Sequence, residues 1–146
     1  MSESAAQAGV ARVRAFYETL EPRSLERLGE VYAPDVYFRD PFNEVRGVDA
    51  IRVIFARMFE QLADCRFEIV ETAVEGANAF MTWNMRFRIR RHRPEVVQTI
   101  HGATHLRFQS DGRVSYHRDY WDAAEELYAK LPVVGGLMRY LKRRMG

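Results

Sequence analysis

The sequence predicts an α+β domain: a strongly curved, mostly antiparallel sheet with helices on one face, and an extra C-terminal helix. Three observations predict it. Apolar residues recur at helical spacing as far as Leu62, and from Cys65 to Trp121 the pattern changes to alternation. Turn signals such as Glu75-Gly76-Ala77-Asn78 and Ser110-Asp111-Gly112 separate the alternating runs. With 146 residues, 47% of them hydrophobic and 29% charged, the chain suits one domain with its own core.

Residues 1–9 are small and polar, and they are expected to be disordered. A helix is expected from Val10, with Val13, Phe16, Tyr17 and Leu20 forming one apolar stripe that Pro22 ends. Ser24 reads as the N-cap of a shorter helix with Leu25, Leu28 and Tyr32 inward, stopped by Ala33-Pro34-Asp35. Val36 to Asp40 then reads as a strand closed by Pro41, with Val36, Phe38 and Asp40 on its inner face. Asp49 is the expected cap of a third helix. Its stripe of Ile51, Ile54, Phe55, Met58, Phe59 and Leu62 is the clearest helical periodicity in the chain and belongs to the core.

The strands follow. Arg66 to Val74 alternates. Met81, Trp83, Met85, Phe87 and Ile89 share one face of the next strand, opposite Thr82, Asn84, Arg86, Arg88 and Arg90. In the third run Ile100, Gly102, Thr104, Leu106 and Phe108 oppose Thr99, His101, Ala103, His105 and Arg107. The last runs from Arg113 to Asp122, with Ser115, His117, Asp119 and Trp121 on one face and Val114, Tyr116, Arg118 and Tyr120 on the other. A helix from Ala123 to Lys130 and a basic amphipathic segment from Leu137 to Met145 complete a C-terminal extension, 123–146, beyond a main domain of 10–122.

Composition narrows the function classes. A formal net charge of +2 gives no bulk electrostatic argument for nucleic acid, and none is expected as a partner. Cys65 is the single cysteine, which excludes an intrachain disulfide and a cysteine-based zinc site and fits a reducing, cytoplasmic setting. Met1 to Gly9 lacks the basic and apolar regions of a signal peptide, and no run approaches the ~18 apolar residues of a membrane span. No glycine-rich phosphate loop, nucleophile elbow or Cys-His pair occurs, so no cofactor is expected.

The inner faces gather more large aromatics than a small domain needs, together with two acids and a histidine. Phe16, Tyr17, Tyr32, Phe55, Phe59, Trp83, Met85, Thr104 and Trp121 are candidate lining residues of a pocket for a small hydrophobic molecule. Asp40 and Asp119 are the candidate acid–base groups, with His117 as partner or shuttle, because desolvation among aromatics favours the protonated carboxyl. The alternative for Asp40 is a turn residue satisfying nearby backbone amides, as Asp before Pro often does. His101 and His105 lie on the opposite face from His117, so alternation argues against a metal site. The arginine stripe from Arg86 to Arg93 reads as a solvated or dimer-paired face. The basic C-terminal segment suits an anionic membrane surface, the pocket mouth or a partner subunit equally.

Four strings, Val13–Tyr17, Tyr32–Pro41, Thr104–Phe108 and Asp111–Val114, resemble the nuclear transport factor 2-like superfamily, with its SnoaL-like and ketosteroid-isomerase-like members. The resemblance covers about residues 10–122. It implies a cone-shaped, cystatin-like roll enclosing a pocket, paired as a homodimer through the outer sheet face. Asp40 stands where ketosteroid isomerase carries its base aspartate. That enzyme's two oxyanion donors fall on Phe16, with Tyr17 one residue on, and on Thr104. Arg118–Asp122 resembles the last strand of limonene-epoxide-hydrolase-like proteins, but Trp83 and Met85 stand where those proteins carry an arginine and an aspartate. SnoaL-like cyclases use an aspartate on the final strand, which Asp119 matches. The resemblance therefore implies isomerase, cyclase or hydrolase chemistry, or a non-catalytic binding or dimerisation module.

Overall fold

The computed structural model describes residues 1–126, 141 and 143–145. Helix α1 spans Glu3–Glu18; a 3-10 helix, Pro22–Arg27, leads into the single turn α2, Leu28–Val31. Strands β1 (Tyr32–Arg39) and β2 (Glu44–Arg46) precede helix α3 (Val48–Gln61). Then come β3 (Leu62–Glu75), β4 (Asn78–Ile89), β5 (Gln98–Phe108) and β6 (Val114–Tyr120), followed by the turn α4, Ala123–Glu126. One six-stranded sheet results, in the order β2-β1-β6-β5-β4-β3. Among the described residues, only β1 and β6 pair in parallel. The sheet is curled but not closed, because β2 and β3 remain its two edges.

Helices α1 and α3 lie on the inner face, α1 against β3 and β4, α3 against β1, β2 and β3. The alternation of β4 is realised, with Met81, Trp83, Met85 and Phe87 all buried. So is that of β5, where Ile100, Thr104, Leu106 and Phe108 are buried. Burying these large side chains contributes roughly 1.5–3 kcal/mol each, which makes this face the core.

Four expectations are corrected. The N-terminal stretch is helical from Glu3, where Ser2 Oγ accepts from the Ala5 amide at 3.2 Å. Its small residues close-pack: Ala6 is fully buried, and a Cβ on Gly9 would stand 2.6 Å from Cε1 of Phe108. Ser24 does not cap a second helix. Its hydroxyl instead accepts from the Glu21 amide at 3.1 Å. Tyr32 opens β1, and Pro34 falls where the β1–β6 register shifts, between Tyr32 and Tyr37, so the missing amide breaks no regular ladder. The cap of α3 is Gly47 rather than Asp49, which lies in the first turn.

In β6 the predicted faces hold except at Val114, which is buried. The register explains it. Arg107 faces Tyr116 while Phe108 faces Val114, so Ser115 is an extra residue and the strand changes side there. The outer face exposes Val70, Phe80 and Tyr120. Its arginines are engaged, Arg86 with Glu68 and Arg88 with Asp64. Of the basic C-terminal segment, residues 137–140 and 142 lie outside the described residues. Among the described residues, no helix is long and apolar enough to cross a membrane.

Candidate functional site

Alternation turns His117 and Asp119 of β6 to the inner face, and register sets Thr104 of β5 directly opposite Asp119. Cross-strand neighbours at that spacing touch. Thr104 Oγ1 lies 2.6 Å from Asp119 Oδ1, and His117 Nε2 lies 2.7 Å from the same oxygen. The chain continues both ways. Trp83 Nε1 donates to Thr104 Oγ1 at 2.8 Å; His117 Nδ1 is 2.9 Å from the Tyr32 hydroxyl, which pairs closely with that of Tyr17.

Donor chemistry fixes the direction of the Trp83–Thr104–Asp119 run. An indole N–H can only donate, so Thr104 accepts from Trp83 and spends its own proton on Asp119. In the tautomer with the proton on Nε2, His117 donates to Asp119 and accepts at Nδ1 from Tyr32, whose oxygen accepts from Tyr17. Two hydrogen-bond runs therefore converge on Oδ1 of Asp119, and Oδ2 accepts none of these bonds. The imidazole is clamped between polar partners and packs on Phe38 with ring centroids 4.7 Å apart. Trp83 reaches Thr104 only because Gly102, its cross-strand partner, is bare: a Cβ there would lie 2.4 Å from Cζ2 of the indole.

Tyr17, Trp83, Thr104, His117 and Asp119 form part of the wall of a partly open cavity of about 800 Å³ between the sheet and helices α1 and α3. Apolar side chains dominate it, including Ile54, Phe55, Met58, Phe67, Met81 and Ile100. Polar groups sit at two places: Tyr17, Thr104, His117 and Asp119 in the wall, and Arg57, Glu60, Gln61, Arg91 and His92 where the end of α3 meets the end of β4. The Asp119 side chain is 19% exposed against 4% for His117, so the carboxylate is the more accessible of the pair.

Of the expected lining residues, the structure brings Tyr17, Phe55, Trp83, Met85, Thr104 and Trp121 to the cavity, with Asp40, His117 and Asp119. Three lie elsewhere. Phe16 and Phe59 do not line it; Phe16 is buried beside Tyr17 in an edge-to-face contact at 5.6 Å. Tyr32 is fully buried behind His117 and holds that ring in place. Asp40 lies past the end of β1 and takes the turn geometry: its Oδ1 accepts from the amides of Phe42 at 2.8 Å and Asn43 at 2.7 Å. Its carboxylate borders the cavity without standing in the inner row with Phe38. Sequence reasoning missed Phe42, Asn43 and Arg91 because they lie on turns and strand ends, where periodicity carries no signal.

Burial, mutual repulsion and the nearby Asp119 charge push the Tyr17 phenol well above its ordinary value; burial does the same to Tyr32, against a smaller opposing effect from the Tyr17 hydrogen bond. Both therefore remain hydroxyl donors at neutral pH. Among the described residues, no group of three or more His, Cys, Asp or Glu is arranged to hold a metal ion.

The profile of the SnoaL-like domain family matches residues 13–117, most of the chain. The chain belongs to the SnoaL-like domain family. No curated protein matches it. Its SnoaL-like fold is similar to solved structures at low identity. An NTF2-like protein of Burkholderia thailandensis is 19% identical, with 90% of this chain and 100% of that one covered and a TM-score of 0.72. An LEH-like epoxide hydrolase of M. tuberculosis is 18% identical over 98% of this chain and 96% of that one, at 0.67. A putative polyketide cyclase of Xanthomonas campestris is 14% identical over 84% and 94%, at 0.68. At these identities the likeness establishes the shared SnoaL-like fold.

Proposed function

We propose that the cavity binds a small, predominantly apolar molecule and that Asp119 moves a proton to or from it. The carrying observation is the convergence of Thr104 and His117 on one oxygen of a cavity-lining carboxylate. That fixes Oδ1 and leaves Oδ2 for the ligand's proton, the arrangement a positioned acid–base group requires. His117 is a positioning residue in this reading, since both ring nitrogens are engaged within the wall. Tyr17 lines the cavity with its one hydroxyl proton spent on Tyr32, so toward a ligand it offers an acceptor oxygen. Asp40 shapes the rim through its turn. Isomerisation, cyclisation and water addition all need such a proton transfer, and similar structures bear hydrolase and cyclase names.

The test is deuterium uptake at the acidic C–H of a small apolar ketone such as 2-tetralone, followed by NMR in heavy water. Wild-type protein is expected to accelerate uptake, and Asp119→Asn to lose about 10²–10⁴ of that acceleration. Equal rates for the two proteins, with the ketone shown to bind, would leave a binding module whose polar wall is only structural.

A further inference from the structure

We infer that the ligand is an amphipathic acid: an apolar body inside the cavity and a carboxylate at the rim against Arg57 and Arg91. This rests on the proposed binding function and extends it to the ligand's chemical class.

The two polar places in the cavity differ in sign. Asp119 and Asp40 belong to the β1–β6 side; Oδ1 of Asp119 and both oxygens of Asp40 accept from protein donors, which leaves Oδ2 of Asp119 as the negative oxygen toward the cavity. The other place is the rim where α3 ends. Leu62 faces Ile89 in the β3–β4 register, and the Arg90 amide donates to the Gln61 carbonyl at 3.0 Å. That bond ties the end of α3 to the end of β4. Arg57 and Glu60, exposed on the last turns of α3, and Arg91 and His92, just past β4, all line the cavity.

Among the described residues, neither Arg57 nor Arg91 makes a hydrogen bond or an ion pair, and Glu60 engages neither. Arg86 and Arg88 on the outer face are, by contrast, held by Glu68 and Asp64. Two guanidinium groups against one carboxylate leave the rim positive. A carboxylate is repelled by Asp119, cannot shed its water among Met58, Phe87 and Ile89 without a partner, and finds two forked donors at the rim. The acid enters apolar end first.

The experiment titrates decanoate and decan-1-ol, matched in length, into wild-type protein by calorimetry at low and high salt. An apolar cavity without a cationic rim favours the alcohol, because the carboxylate is the costlier group to desolvate. The expected result is decanoate binding about three- to tenfold tighter than decanol at low salt, the gap narrowing at high salt. Arg57→Gln combined with Arg91→Gln is expected to abolish that preference, whereas Arg23→Gln, away from the cavity, keeps it. Decanol binding equal to or tighter than decanoate overturns the inference while leaving the apolar cavity in force. The same preference in the double variant overturns it too. Failure of both probes to bind overturns the binding function beneath it as well.

Discussion

Asp119 and Thr104 face each other across β6 and β5, and the 2.6 Å bond between them points from hydroxyl to carboxylate because Trp83 occupies the threonine's acceptor side. A residue on a third strand thus decides that the threonine proton goes to the aspartate. The bond network is directional, and its direction makes the following outcomes unequal.

Asp119→Asn keeps an oxygen where Thr104 and His117 donate, so the fold is expected to persist with small loss. Asp119→Leu leaves both buried donors without an acceptor, at about 1–3 kcal/mol each. Urea denaturation should therefore separate the two variants by about 2 kcal/mol or more.

The tyrosines are expected to differ in the same way. Tyr32→Phe removes the acceptor of Tyr17 and the donor to His117 together, costing about 2–4 kcal/mol. Tyr17→Phe removes only the end of the run and leaves the Tyr32–His117 bond, for about 1 kcal/mol. Equal losses in thermal or chemical denaturation would contradict the directed chain.

Gly102→Ala places a methyl group inside the indole of Trp83. The indole must move, the bond to Thr104 breaks, and stability falls by about 1–3 kcal/mol. The Trp83 indole N–H resonance is the direct reading: it is expected to shift in Gly102→Ala and in Thr104→Val.

Alkaline pH destabilises this domain in a defined direction. Tyr17 and Tyr32 have folded-state values raised above the ordinary 10.0, so near that pH the unfolded chain releases protons that the folded chain retains. Their stabilising contribution is intact below pH 10 and declines as pH rises, by up to ~1.4 kcal/mol per pH unit for each tyrosine. Phenolate absorbance and circular dichroism, recorded together, should show these two ionising only as the protein unfolds.

Much of this arrangement was legible in the sequence, and the exceptions have physical causes. Strand alternation is binary, so Trp83, Thr104, His117 and Asp119 could be assigned to one face and were found there. A helix stripe is broad enough to bury neighbours, and Phe16 and Tyr17 both satisfy it; only three-dimensional packing shows that Tyr17 alone meets the cavity. Tyr32 fits a helical stripe as well as a strand, and pairing with β6 decides for the strand. For Asp40 the two readings stood open, and local amide geometry selects the turn. The Ser115 bulge, which restores Val114 to the core, has no signature in the alternating pattern.

The unpaired edges β2 and β3 carry a consequence for how such a scaffold diversifies. No ladder of backbone bonds across the two edges fixes the girth of the hollow; α1 and α3, packed across the opening, act as its spacers. Exchanging a methionine or phenylalanine on α3 resizes the chamber without disturbing any strand register. Width and chemistry are therefore encoded on different elements, and one can drift while the other is kept.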